Sequence, residues 1–367
     1  MATIDLHKKP FDEGTITKLE IFETYTKEWL PTFIMSKWGE LWVFDFFAGT
    51  GYDKDGIPGS PIRILRQIKN QIGNIFKTNK TINVCFNEFD EGKYNSLKAS
   101  CSEYIQENPE IERANINIYY YQKDFAILFP EIIDKIKNYP SLVFMDQNGI
   151  KFLSEQYFLE LSKTKTTDFL YFLSSSYFIR FGNTPEFKTT LNLDLERAKK
   201  NPYKYIHKSI LEQLREKVSS KLDISLYPFT IKKGTNIYGI IFGASHPRAI
   251  EKFLNTAWGQ NVTNGSANFD IDDDSSKTQL DLFEGKKLTK IESFSLSLRQ
   301  LILSNKITTN KEAFDYTQEQ GHISSHATEE IKKMKKERLL TYEGKSPLVN
   351  YDQVYKNKRV ISLKLKP

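Results

Sequence analysis

Alternation constrains this chain more than any other feature. Five short apolar runs, at residues 41–47, 82–86, 116–121, 142–145 and 169–173, are separated by stretches with helical spacing at 61–76, 92–106, 125–138 and 154–163. A continuous apolar run suits a strand buried on both faces. Strand and helix alternating over five units build a parallel, doubly wound α/β sheet. Ahead of it, Leu19, Phe22, Tyr25 and Trp29 recur at three- and four-residue steps between Lys18, Glu23, Lys27 and Glu28, which predicts an amphipathic entry helix. After a polar helical stretch at 191–222, residues 225–231 and 237–242 flank Lys232-Lys-Gly-Thr-Asn236. They predict an antiparallel hairpin, followed by a closing helix at 249–258.

Charge divides the chain a second way. Residues 286–367 hold 17 Lys+Arg against 9 Asp+Glu, while the first 285 residues hold 35 against 37. The expected domains are therefore 1–260, an α/β domain with its N-terminal helix; 261–285, an acidic polar linker; and 286–367, a basic module. The module reads as three helices and a strand pair at 339–342 and 360–363, the winged-helix-like order, in which the third helix enters a nucleic-acid groove. Thr309 or Asn310 is the expected cap of the second helix, and Ser324 or Ser325 that of the third. On that third helix Ala327, Ile331 and Met334 form an apolar face, while Lys332, Lys333 and Lys336 supply cations for DNA or RNA phosphates. The alternative is a packing module with a solvated basic face.

The linker residues Asp270, Asp272, Asp273 and Asp274 lack the Gly and terminal Glu of a calcium loop, so a solvated acidic loop is expected and no metal. Cys85 and Cys101 provide neither a disulfide framework nor a zinc spacing. No window approaches 18 consecutive apolar residues, and the start lacks a basic segment followed by an apolar stretch. A cytoplasmic protein without a membrane span is expected.

The chemistry is expected at the strand ends. Asp45-Phe-Phe-Ala-Gly-Thr-Gly51 closes the first strand, and its glycines allow a tight turn close to a bound cofactor. No Lys-Ser/Thr follows, which argues against a phosphate-gripping loop, and the full dinucleotide glycine pattern is absent. Asp45, Phe47, Ala48, Gly49 and Gly51 are thus candidate cofactor contacts. Glu88 ends the second strand, where a carboxylate can accept both ribose hydroxyls of an adenosine cofactor. Asp124 follows the third strand and can accept from an adenine amino group. Residues 52–61 read as an inserted loop over the cofactor.

The fourth strand ends in Met145-Asp-Gln-Asn-Gly149. Amino-directed methyltransferases place Asp or Asn, Pro, Pro and an aromatic residue there, so that the carboxylate or amide and the next carbonyl orient the target amine. Asp146 and the carbonyl of Gln147 retain that capacity, while both prolines are absent and Gly149 carries no ring. Phe152 and Tyr177 are the candidates for stacking on a base, and Arg180 for a phosphate or cofactor-edge contact.

These elements together, with Thr17-Lys-Leu-Glu-Ile-Phe-Glu-Thr-Tyr25, Trp29-Leu-Pro31, Gly59-Ser-Pro61 and Ser174-Ser-Ser-Tyr-Phe-Ile-Arg-Phe181, resemble the three-Cys-motif partner protein family. That family is similar to class I S-adenosylmethionine-dependent methyltransferases. The resemblance implies S-adenosylmethionine as cofactor, Ser60 on the substrate side, and association with a separate protein bearing a three-cysteine motif. Gln147 stands where the family pattern tends to have Pro. The expected function is methyl transfer to nucleic acid, with Asp146 orienting a base nitrogen. The alternative is a non-catalytic adaptor on the same fold. A metal-dependent nuclease using Asp45, Glu88 and Asp146 ranks third.

Overall fold

The computed structural model describes residues 10–146, 155–174, 194, 196–197, 200, 203–218, 224–278 and 287–366. The chain forms two compact units, residues 1–246 and 247–367.

In the first unit, helix α1 (Glu13–Ile34) precedes strand β1 (Glu40–Asp45). The alternation then runs through α2 (Ser60–Asn70), α3 (Ile72–Thr78), β2 (Thr81–Asn87), α4 (Glu91–Glu107), the short α5 (Glu110–Arg113) and β3 (Ile116–Tyr121). It continues with α6 (Phe125–Asn138), β4 (Ser141–Met145), α7 (Glu155–Ser162), β5 (Thr167–Ser174), α8 (Ile206–Lys217), β6 (Ser225–Lys233) and β7 (Asn236–Ala244). The sheet order is β3-β2-β1-β4-β5-β7-β6. Strands β1 to β5 are mutually parallel where they pair, and β7 runs antiparallel between β5 and β6. This is a class I methyltransferase-like, doubly wound sheet, with the expected hairpin as β6 and β7.

The two-residue side-chain period of a strand sorts the core into two layers. Trp42, Phe44, Val143, Met145, Phe169 and Tyr171 point to one face, where they cluster with Phe125, Leu128, Phe129 and Ile132 of α6, Phe158 and Leu161 of α7, and Ile210 and Leu214 of α8. The opposite parity carries Leu142 and Phe144 of β4 and Leu170 and Phe172 of β5 toward α1. There Phe22 stacks on Phe144 with centroids 4.0 Å apart, and Tyr25 meets Phe242 edge-on at 4.9 Å. Helix α1 starts where Asp12 accepts from the Thr15 N–H at 2.9 Å. Parity also decides the site, because Asp45 and Asp146 fall on the α1 side.

The second unit opens with α9 (Pro247–Gln260) and contains α10 (Lys290–Leu303), α11 (Asn310–Glu319), α12 (Ser324–Lys336), β8 (Leu340–Thr341) and β9 (Lys364–Leu365). Capping boxes at Thr289/Glu292 and Thr309/Glu312 start α10 and α11. Gly321, at φ +70°, follows the end of α11. Phe294, Leu298, Phe314, Ile331, Met334 and Leu340 are among the residues of its core.

Three local expectations need correction. Ile323, with no side-chain cap, occupies the N-cap position of α12, and Ser324 instead donates to Glu251 at 2.9 Å. Residues 360–363 do not pair with 339–342. Ser362 bridges Thr309, while Leu363 N–H donates to Thr308 O at 2.7 Å, so the partner of β8 moves to Lys364–Leu365. Asp274 of the acidic run is built in rather than solvated, while Asp273 stays exposed: Asp274 is buried, accepts from Lys277 Nζ at 2.7 Å and from Lys290 N–H at 3.0 Å, and Asp270 accepts from the Asp274 N–H at 2.8 Å. Its neighbours Asn264, Ala267 and Ile271 are buried too, so residues 261–278 form a compact series of turns. No helix among the described residues is long and apolar enough to cross a membrane.

Candidate functional site

The site lies at the C-terminal ends of the parallel strands, the edge where open α/β sheets bind ligands. Asn87, the last residue of β2, gathers three of these ends. Its side-chain amide donates to Phe46 O and to Lys123 O, each at 3.1 Å, and its oxygen accepts from Lys123 N–H at 3.2 Å. Ala48 N–H donates to Asn87 O at 2.9 Å. The turn after β1 is thereby fixed beside the end of β2, with Ala48 buried and Phe47 packed on Phe125 at 5.3 Å.

Gly49 then takes φ +68° and Gly51 φ +91°, conformations that favour glycine. Gly49 N–H donates to Glu88 Oε2 at 3.1 Å, and Glu88 Oε1 accepts from Asp90 N–H at 3.0 Å. Glu88 therefore turns toward the glycine loop, half-buried, with lone pairs left for a ligand. The demand at Gly51 is internal to the fold: a Cβ there would come within 2.7 Å of Ser100 Cβ, and Ser100 Oγ donates to Thr50 O at 2.9 Å. The inserted loop folds back on the same turn. Asp53 Oδ1 accepts from Asp55 and Ile57 N–H groups at 2.9 and 2.7 Å, its Oδ2 accepts from Phe11 N–H at 2.7 Å, and Gly59 N–H donates to Gly51 O at 2.7 Å.

Two carboxylates dominate the electrostatics. Asp45 is fully buried, with the side chain of Ser60, the first residue of α2, near it, and it accepts from Phe47 N–H at 3.3 Å. Burial pushes its pKa up to about 7 although Ser60 and Phe47 N–H oppose the shift, with Asp146 and Glu88 adding like-charge repulsion. Its Oδ2 is buried without a hydrogen-bond partner among the described residues, and so is Oδ1 of Asp146. Asp146 Oδ2 is ion-paired with Lys18 of α1, whose Nζ also lies 4.6 Å from the centroid of the Phe172 ring. Lys18 is buried, and so is the rest of its helix face.

The structure thus brings Asp45, Gly49, Ser60, Glu88 and Asp146 to one edge. Asp124 stands at the end of β3 as the N-cap of α6, one oxygen accepting from Ala126 N–H at 2.9 Å. Gln147, Phe152, Tyr177 and Arg180 lie outside the described residues. Sequence reasoning missed Lys18, Asn87 and Phe89. Phe89 directly follows Glu88 and is 68% exposed, an unusual position for a large ring. Lys18 had a signal, because it sits four, seven and eleven residues before Phe22, Tyr25 and Trp29, on the apolar stripe itself.

In the second unit Lys332, Lys333 and Lys336 are exposed along α12, and no ion pair engages them among the described residues. Lys335 is occupied, donating to Gly344 O at 3.1 Å and lying 3.8 Å from the Tyr342 ring centroid.

Residues 269–347 match the family model of the GMT-like wHTH domain, which makes this part of the second unit a winged helix-turn-helix module. No curated protein matches the chain. Among solved structures, similarity extends to protein LPL1258 from Legionella pneumophila, at 13% identity and TM-score 0.39, over 69% of this chain and 93% of that one. It also extends to the O-methyltransferase TomG from Streptomyces achromogenes in complex with SAM, at 10% identity and TM-score 0.32, over 65% and 92% of the two chains. The delta-N METTL16 MTase domain is similar at 10% identity and TM-score 0.28, over 63% and 84%. The sheet order, rather than these similarities, defines the fold.

Proposed function

We propose that this chain is an S-adenosylmethionine-dependent methyltransferase acting on nucleic acid at a base nitrogen. The observation that carries the reading is the pair of buried carboxylate oxygens without a partner among the described residues, Asp45 Oδ2 and Asp146 Oδ1, on neighbouring strands beside the Gly49–Glu88 turn. An unsatisfied buried acceptor costs about 1–3 kcal/mol, a penalty that a ligand donor relieves. The residues fit the cofactor: a buried carboxylate raised to about 7 gains most from a cationic partner, and an ammonium group is one.

S-adenosylmethionine, when bound, supplies an electrophilic methyl carbon on a sulfonium. Asp45 would accept from its ammonium end, Glu88 from the ribose hydroxyls, and Asp124 from the adenine amino group, while the exposed Phe89 ring offers a stacking surface. Phe47, Ala48, Gly49 and Gly51 shape the backbone around it. Asp146 Oδ1 orients the target amine, and alignment of nucleophile and methyl carbon is the main demand of such a displacement. Ser60, near Asp45, stands on the substrate side of the site. Exposed Lys332, Lys333 and Lys336 engage phosphates. Association with a three-cysteine-motif protein rests on the family resemblance alone.

A non-catalytic adaptor is the second reading, favoured by Lys18 occupying Asp146 and by Gln147 in place of Pro. Transfer of labelled methyl groups to DNA and RNA pools by wild type and Asp146→Ala separates the two. Transfer abolished by the substitution supports the enzyme. Cofactor binding without transfer supports the adaptor.

A further inference from the structure

Lys18 changes what Asp146 can recognise. A bare carboxylate at the end of β4 attracts any amine, and a cationic alkylamine most strongly. Here the carboxylate already holds a cation. Asp146 Oδ2 is ion-paired with Lys18, and Oδ1 is left as a buried acceptor without a partner among the described residues. The lysine is anchored rather than loosely placed: its side chain is 9% exposed, it rises from a helix face on which Leu19, Phe22 and Tyr25 are buried, and its head lies 4.6 Å from the Phe172 ring centroid. Phe172 in turn stacks on Tyr238 at 5.4 Å. Swinging the ammonium aside would strip it of both the ring and the carboxylate, so a ligand meets the pair rather than Asp146 alone.

Together the two side chains offer one acceptor, Oδ1, beside one donor, the Lys18 ammonium. We propose that Lys18 is the specificity-determining residue of this site, and that the Lys18–Asp146 pair selects a neutral amino-bearing nucleobase edge over an aliphatic ammonium. An exocyclic amino group donates to Oδ1 while the adjacent ring nitrogen accepts from Lys18, which satisfies both members. A lysine side chain or polyamine brings a second cation against the first and lacks an acceptor, so like-charge repulsion excludes it. The proposal rests on the methyltransferase reading and deepens it, placing nucleobases inside its substrate class and protein lysines outside.

The test titrates the full chain, with and without saturating S-adenosylhomocysteine, against two small probes that do not engage the basic module: cytosine and n-butylammonium, followed by ligand-observed NMR. Wild type is expected to bind cytosine on the order of tenfold or more tighter than n-butylammonium. Lys18→Met should reverse that preference. The double variant Lys18→Met/Asp146→Asn removes both charges together and keeps the test open if the single variant does not fold; its cytosine affinity should fall about tenfold. Wild type that prefers n-butylammonium, binds neither probe, or keeps the same preference after Lys18 is replaced overturns the inference. Absence of S-adenosylhomocysteine binding with the probe preference intact sinks the methyltransferase reading alone.

Discussion

Tyr25 Oη donates to Asp168 Oδ2 at 2.6 Å, joining α1 to β5 where both side chains are buried. Burial raises the Asp168 pKa to about 7 although Tyr25 opposes the shift. A carboxyl whose folded pKa lies above its unfolded value stabilises fully below the unfolded pKa, near 3.8, and loses that contribution as pH rises through about 7. Asp45 acts in the same direction. Urea midpoints should therefore show a fall between about pH 4 and 7 that Asp168→Asn reduces. Tyr25→Phe should cost about 1–3 kcal/mol. A slope indifferent to Asp168→Asn would refute this assignment.

Gly51 packs against Ser100 of α4. Gly51→Ala meets both a φ of +91° and a 2.7 Å approach to Ser100 Cβ, so a loss of roughly 1–3 kcal/mol from the backbone plus a steric part is expected. Ser100→Gly should restore the steric part only, which a double-mutant cycle by chemical denaturation reads as a coupling between the two sites. Strict additivity would show that the contact carries nothing.

The second unit should respond to pH in the opposite sense. His322 Nδ1 and His326 Nδ1 lie 3.0 Å apart, with His322 stacked on Phe294 at 4.1 Å and Trp258 edge-on to His326 at 4.4 Å. Burial lowers their pKa values to about 2 and about 4, with the Lys290 cation adding to both. Depressed values mean stability that is present above about 6.5 and lost as pH falls through about 4. Imidazole NMR signals should show His326 titrating near 4. A midpoint near 6.5 would contradict the packing described.

Exposed Lys332, Lys333 and Lys336 make a salt-dependent prediction. If they neutralise phosphates, replacing all three with Ala lowers the slope of log affinity against log salt by about 2–3, at roughly 0.7–0.9 per contact. The measurement is fluorescence anisotropy over a salt series. A slope left unchanged would move nucleic-acid binding away from α12.

Much of the first unit was legible because its signals are long and redundant. Five apolar runs separated by helical spacing leave few alternatives to a parallel sheet, and the glycines after Asp45 mark the turn at its ligand edge. The shared side of Asp45 and Asp146 follows only from the register of β1 on β4, which pairs Asp45 with Phe144, two residues before Asp146. Lys18 was passed over because a lysine between apolar positions reads as solvated, whereas only the register against Phe22, Tyr25 and Trp29 reveals it on the stripe. The wing was misread for a different reason. Two-residue strands at Leu340–Thr341 and Lys364–Leu365 carry no alternation of their own, and Thr308–Asn310 competes for residues 361–363. The turns around Asp274 look like a linker in composition because their order comes from polar groups satisfied by one another.

Isothermal titration with S-adenosylhomocysteine tests the central claim most directly. Wild type should bind it in a one-to-one complex, and Asp45→Asn and Glu88→Ala should each weaken binding by about tenfold or more, as expected for losing a hydrogen bond to a charged group. Wild type that takes up no S-adenosylhomocysteine, or binding that both substitutions leave untouched, would contradict a cofactor site at this turn.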